Sequence, residues 1–141
     1  MGCQYTDGLD KDGNRIPRVL HQDKFVNETM RVFNMEDSHV AHSPMDPSIL
    51  STLIERNHEV DPTMATVPYR TAIGMLLYLA QHTRPDISTS VDILGRQIAN
   101  PQRHHWTAVQ RILRYVKGTS KYGIVLTPNE RMILTASSDS G

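Results

Sequence analysis

Between residues 68 and 117 the chain carries three apolar stripes of helical period in close succession, and no other feature restricts its fold as much. Ala72, Ile73, Leu76, Leu77 and Ala80 recur at helical spacing and predict a helix over 68–81. Pro68 suits its first turn, where a missing N–H costs nothing. Ile87, Val91, Leu94 and Ile98 predict a second helix that starts at Pro85 and ends before Asn100-Pro101. Trp106, Val109, Ile112, Leu113 and Val116 predict a third over 103–117, with Gly118 as its stop. Helices joined this closely bury their stripes against one another.

The first half is less regular. Asp12-Gly13-Asn14 is a turn signal between residues 4–6 and 15–20, which predicts a loose hairpin. Pro17 would place its second strand at an edge. Phe25, Val26, Thr29, Met30 and Phe33 share one face of a predicted helix over 22–34. Residues 36–66 hold Ser43-Pro44-Met45-Asp46-Pro47 and Asp61-Pro62 without a sustained apolar period and read as a linker, interrupted by a short helix near 47–56. At the other end, residues 123–127 and 132–137 predict two strands around a Pro128-Asn129 turn. The expected fold class is α+β, mainly α: N-terminal hairpin and helix, linker, three-helix segment, C-terminal hairpin.

Charge divides the 141 residues more sharply than composition does. Residues 1–61 hold eleven acids against six bases, and residues 62–141 hold nine bases against four acids. No acid occurs between Asp92 and Glu130, where Arg96, Arg103, Arg111, Arg114, Lys117 and Lys121 fall. A basic half of this kind points to a polyanionic partner or to a solvated helix face. The apolar fraction of 38% is low, which suits a partly flexible chain or one that normally packs against a covalent neighbour. The single cysteine, Cys3, rules out an internal disulfide and fits a reducing compartment. The longest apolar stretch, residues 73–80, falls far short of the roughly 20 residues a membrane helix needs. With no secretory leader in view, the expected location is intracellular, cytoplasmic or nuclear, with no membrane partner.

Several chemistries lack their residues. No Gly-rich phosphate loop and no G-x-S-x-G occurs. Aligning Gly13 with the glycine of a calcium loop puts Gly8 and Val19 at ligand positions, which leaves a plain turn. Adjacent His104 and His105 diverge by about 100° on a helix and do not share one ion. His39 and His42 have no third ligand at a recognisable spacing.

Three blocks carry more specific information. They are Tyr69-Arg70-Thr71-Ala72-Ile73-Gly74-Met75-Leu76-Leu77-Tyr78-Leu79, then Thr83-Arg84-Pro85-Asp86-Ile87, then His105-Trp106-Thr107-Ala108 running on to Tyr115-Val116-Lys117-Gly118-Thr119. In this order and spacing they resemble copia-type LTR-retrotransposon Pol polyproteins. His21-Gln22-Asp23, Phe33-Asn34-Met35 and Ser43-Pro44-Met45 extend the resemblance towards the N-terminus. It implies the end of the reverse transcriptase palm/thumb region at 1–35, a linker at 36–66, a helical thumb/connection segment at 67–121 and the start of RNase H at 122–141. The polymerase's paired aspartates would lie upstream, and the chain contains no Asp-Asp dipeptide. Asp139 would match the first metal-binding aspartate of RNase H. Ser137 stands where that motif has an aromatic, and Gly141 where it has its second aspartate.

The resemblance thus implies a fragment that is catalytically inactive alone and needs no cofactor, from a polyprotein that uses Mg2+ for RNA-directed DNA synthesis. Its partners would be the RNA/DNA template-primer and the missing palm and RNase H domains. Tyr69, Gly74, Leu77, Pro85, Trp106 and Leu113 are expected to be structural, with Gly74 allowing close helix approach. Arg84 is expected to pair with Asp86 or with a palm carboxylate. The candidate nucleic-acid-binding residues are Arg103, Arg111, Arg114, Lys117 and Lys121, a basic ridge suited to sequence-independent phosphate contacts. An alternative is a small helical nucleic-acid-binding module acting through this ridge. A third is an enzyme completed in trans around Asp139.

Overall fold

The helix over 103–118 organises everything else. In the computed structural model, which describes residues 3–5, 12, 18–55, 59–126 and 133–135, it is the longest element. The elements in order are β1 (Gln4–Tyr5), β2 (Arg18–His21), α1 (Asp23–Val32), α2 (Leu50–Ile54), α3 (Tyr69–His82), α4 (Ser88–Gly95), α5 (Arg103–Gly118), β3 (Gly123–Leu126) and β4 (Ile133–Thr135). Short 3-10 turns at Pro47–Ile49, Pro62–Met64 and Pro85–Ile87 precede α2, α3 and α4. The class is α+β, mainly α, as expected.

The core forms where α1, α3 and α4 meet α5 and α2 meets α4. α5 buries Trp106, Val109, Ile112, Leu113 and Val116, the five residues of its predicted stripe, together with His105, Ala108 and Tyr115. Each fully buried aliphatic side chain contributes about 1.5–3 kcal/mol. From α3 come Tyr69, Ala72, Ile73, Leu76 and Leu79, and from the α4 region Ile87, Val91 and Leu94. The Tyr69 hydroxyl donates to the Leu94 carbonyl at 2.6 Å and ties α3 to the end of α4.

Helix ends follow local chemistry. α1 closes with Asn34 at φ 56°, and Met35 N–H bonds Met30 O while Asn34 N–H bonds Arg31 O. That is a Schellman ending with asparagine in the left-handed position. Asp46 and Asp61 each precede a proline and accept from the backbone N–H and hydroxyl of Ser48 and Thr63. Those bonds hold both carboxyls below their ordinary range. α5 starts with a box in which Gln102 N–H donates to His105 Nδ1 at 2.9 Å. With Nδ1 accepting, the proton sits on Nε2, which donates to Leu53 O at 3.1 Å.

The strands form one antiparallel sheet in the order β1-β2-β3-β4. β2 therefore lies inside the sheet, between β1 and β3, and not at the edge that Pro17 suggested. The two expected hairpins are joined, with Arg18 opposite Leu126 and His21 opposite Gly123. A Cβ on Gly123 would lie 1.8 Å from Leu20 O, so only glycine allows this crossing.

Four further expectations change. Leu77 is 38% exposed and Leu79 takes its place in the core, because α3 is turned to bring Tyr69 inward. Gly74 is exposed and an added Cβ would meet nothing within 4 Å, so it is no close-approach residue within this chain. The second predicted helix is split into a 3-10 turn and α4, and ends at Gly95. Gly118 is the last residue of α5, where the stop was expected, but it has no left-handed φ and Thr119 is the C-cap; its added Cβ would stand 2.9 Å from Val40 Cβ, so the glycine serves to admit a crossing segment.

Candidate nucleic-acid interface

The cations of α5 sit on the flank that its core residues leave free. Arg111, Arg114 and Lys117, spaced by three, are half-buried, and Arg103 and Lys121 are exposed at either end. Their neighbours Ile112, Leu113, Tyr115 and Val116 turn inward, which fixes the ridge by helical geometry. The structure thus brings Arg111, Arg114 and Lys117 together, with Arg103 two turns earlier and Lys121 in the turn beyond Gly118.

Part of this charge is already engaged. Residues 36–45 cross the flank. Arg111 Nε donates to Ser43 O at 3.2 Å and its Nη2 to Ser43 Oγ at 2.9 Å. Lys117 Nζ donates to Ser38 O, Val40 packs over Gly118, and Arg103 Nη2 donates to Thr63 O at 3.1 Å. The Arg114 side chain makes no hydrogen bond to a described residue. The described residues of the 36–66 stretch are therefore held down at points along α5, and buried Met35, Leu53 and Met64 enter the core from it or its border. Sequence reasoning missed this because each contact joins residues far apart in the chain.

A second polar cluster lies behind the ridge. Arg84 is 1% exposed. Its Nε and Nη2 donate to the two Asp86 oxygens at 3.0 and 2.9 Å, Nη2 also reaches Thr119 Oγ1 at 2.7 Å, and Nη1 reaches Thr119 O at 2.9 Å. The rings of Tyr115 and Tyr122 lie 5.5 and 5.7 Å from the guanidinium carbon. Tyr115 OH donates to Asp86 Oδ2 at 2.8 Å. Burial pushes the Asp86 carboxyl up, but the Arg84 hydrogen bonds and charge, with the Tyr115 hydroxyl, bring it below its ordinary range. Burial first, then Asp86, pushes the Tyr115 phenol up to about 12. Of the two partners expected for Arg84, Asp86 is the one found. Thr119 and Tyr122 were not expected as partners, although Arg84, Asp86, Tyr115 and Thr119 all stand within the blocks that carry the resemblance.

Tyr69, Trp106 and Leu113 are buried as expected, and Pro85 opens its turn at the surface. Among the described residues no group of three or more His, Cys, Asp or Glu could hold a metal ion. Asp139 lies outside the described residues. No helix among them is long and apolar enough to cross a membrane.

Known proteins resemble the chain over most of its length. It is 36% identical over 134 residues to the Retrovirus-related Pol polyprotein from transposon RE1 of Arabidopsis thaliana, covering 94% of this chain and 9% of that protein. It is 35% identical over 103 residues to the Retrovirus-related Pol polyprotein from transposon TNT 1-94 of Nicotiana tabacum, covering 72% of this chain and 8% of that one. It is 31% identical over 121 residues to the uncharacterized mitochondrial protein AtMg00810 of Arabidopsis thaliana, covering 86% of this chain and 48% of that protein. The chain thus spans less than a tenth of either polyprotein. No family model matches it, and no solved structure shows a significant match.

Proposed function

We propose, from the premise that this chain belongs to the copia-type retrotransposon Pol polyproteins, that it corresponds to their stretch between the reverse transcriptase palm and RNase H. Residues 1–35 then end the palm/thumb region, 36–66 link, 67–121 form the thumb/connection helices, and 122–141 lead into RNase H. In the intact polyprotein this piece supports template-primer binding, and alone it catalyses nothing. Mg2+ belongs in this reading to the polyprotein's catalytic domains.

One observation carries the reading: α5 gathers Arg111, Arg114 and Lys117 on the flank away from its core. Such a flank attracts phosphates without reading bases. With Arg111 and Lys117 already engaged by residues 38–43, binding by the isolated chain is weak and salt-sensitive. A labelled RNA–DNA hybrid titrated at low and moderate salt tests this. Saturable binding that weakens in salt, and weakens again in Arg111→Glu with Arg114→Glu, is expected; absence of binding at low salt removes the ridge from the account. Primer extension and hybrid cleavage assays should both stay at background. Metal-dependent activity in either sinks the non-catalytic reading.

A second reading is a small helical nucleic-acid-binding module that acts by itself through the same ridge. The pairing of β2 with β3 favours it, because it ties the two ends of the described chain into one sheet.

A further inference from the structure

Ser43 is followed by Pro44 and lies on the segment that crosses the outer flank of α5. It is half-buried, in a bend outside any helix or strand. The chain has one other Ser/Thr-Pro dipeptide, Thr127-Pro128, whose residues lie outside the described ones. Pro44 disfavours helical conformation at Ser43, which keeps the dipeptide out of a helix and open to a kinase cleft. Among the described residues no backbone–backbone hydrogen bond ties residues 39–45 to the rest of the chain. The segment is held by side chains: Arg111 on Ser43, Lys117 on Ser38, Val40 over Gly118, and Ala41 and Met45 against the edge of the core. It can open locally without breaking a helix or a strand pairing.

We propose that Ser43 is a phosphorylation site for a proline-directed, ATP-dependent protein kinase, and that Arg111 holds the resulting phosphate. Ser43 Oγ attacks the γ-phosphorus of MgATP. The Oγ–P bond forms as the bond from that phosphorus to the ADP oxygen breaks, ADP leaves, and the hydroxyl proton passes to the kinase's carboxylate base. The product places close to two negative charges where Oγ already accepts from Arg111 Nη2.

The surroundings suit that charge. Arg111 Nη1 has no hydrogen bond to a described residue, so its N–H groups are left for phosphate oxygens beside those of Nη2. Arg114 lies one turn on along the same flank, and Lys117 one turn beyond it. Asp46 opposes them, but its carboxylate is turned to Ser48 N–H and Oγ. Phosphorylation would therefore pin the crossing segment to α5 and neutralise Arg111 for any other polyanion.

The test uses the full chain, a purified proline-directed Ser/Thr kinase and MgATP, with a general substrate in the same tube. Mass-spectrometric mapping should place phosphate on Ser43, absent in Ser43→Ala and retained in Thr127→Ala. A 31P NMR titration should find the second phosphate pKa, ordinarily about 6, lowered by about half a unit or more. Arg111→Gln should abolish that depression and Arg111→Lys should keep part of it, which covers the case of a Gln variant that fails to fold. An unmodified Ser43 beside a modified general substrate overturns the proposal. So does a phosphate pKa that is the same in the wild-type chain as in both Arg111 variants.

Discussion

Arg84 shows how much can depend on one side chain. Its guanidinium is almost fully buried and bonds Asp86 and Thr119 between two tyrosine rings. Removing one partner of a buried ion pair leaves an uncompensated charge, so Arg84→Met should cost about 3–5 kcal/mol in urea unfolding. The double variant Arg84→Met with Asp86→Leu should recover a large part of that loss, because the stranded carboxylate is gone. Asp86 also has a pH signature. Its folded pKa is depressed, so its contribution is present above the ordinary value of 3.8 and is lost as pH falls through the folded value. Gly74 predicts the opposite sign. It is mid-helix with open space beside it, so Gly74→Ala should stabilise the chain by about 0.5–1 kcal/mol, read as a higher urea midpoint at unchanged slope. Its helical period was legible in the sequence, but the direction it faces was not. Leu76, Leu77 and Leu79 all fit a broad apolar stripe, and only the packing of Tyr69 against the end of α4 selects Leu76 and Leu79.

At the level of elements, α1 and β2 meet at a titratable junction. Asp23 N–H, at the start of α1, donates to His21 Nδ1 at 3.3 Å, and Lys24 N–H donates to Gln4 Oε1 at 2.8 Å. Burial lowers the His21 pKa from 6.5; Asp23 counters this in part and Lys121 adds to it. The unfolded chain thus binds this proton more readily than the folded one. Stability from His21 is full above 6.5 and declines as pH falls towards its lower folded pKa. Thermal unfolding of wild type between pH 7.5 and 5 should lose stability faster than that of His21→Gln; parallel profiles would refute this. Amphipathic α1 and α5 were legible within one or two residues because their period repeats over several turns. The 36–66 stretch was not. Its apolar residues enter the core singly, and its polar anchors come from α5, at separations of 68 for Ser43 to Arg111 and 79 for Ser38 to Lys117.

For the whole molecule, the decisive contact is the crossing of β2 and β3. It joins the N-terminal hairpin to the C-terminal one after the entire helical middle has intervened. Gly123 permits it, because any side chain there would strike the Leu20 carbonyl. Gly123→Ala should therefore cost about 2 kcal/mol or more and reduce amide-exchange protection in β2 as well as β3. Protection lost in β3 alone would mean the strands are not coupled.

Amino-acid order alone settled the helical class, the inward stripe of α5 and the kinship with retrotransposon Pol polyproteins, because each is written in short spacings that repeat or recur as blocks. Tertiary structure decided which α5 cations remain open to a partner. Helical periodicity places Arg111, Arg114 and Lys117 on one flank, but it carries no information about a segment some seventy residues away that comes to lie across them. It likewise decided that two hairpins make one sheet, since strand pairing across the helical middle depends on where the packed helices deliver the chain. The three-helix segment that most restricted the fold at the outset is therefore the scaffold, and the segment that looked least structured is what sits on its basic face.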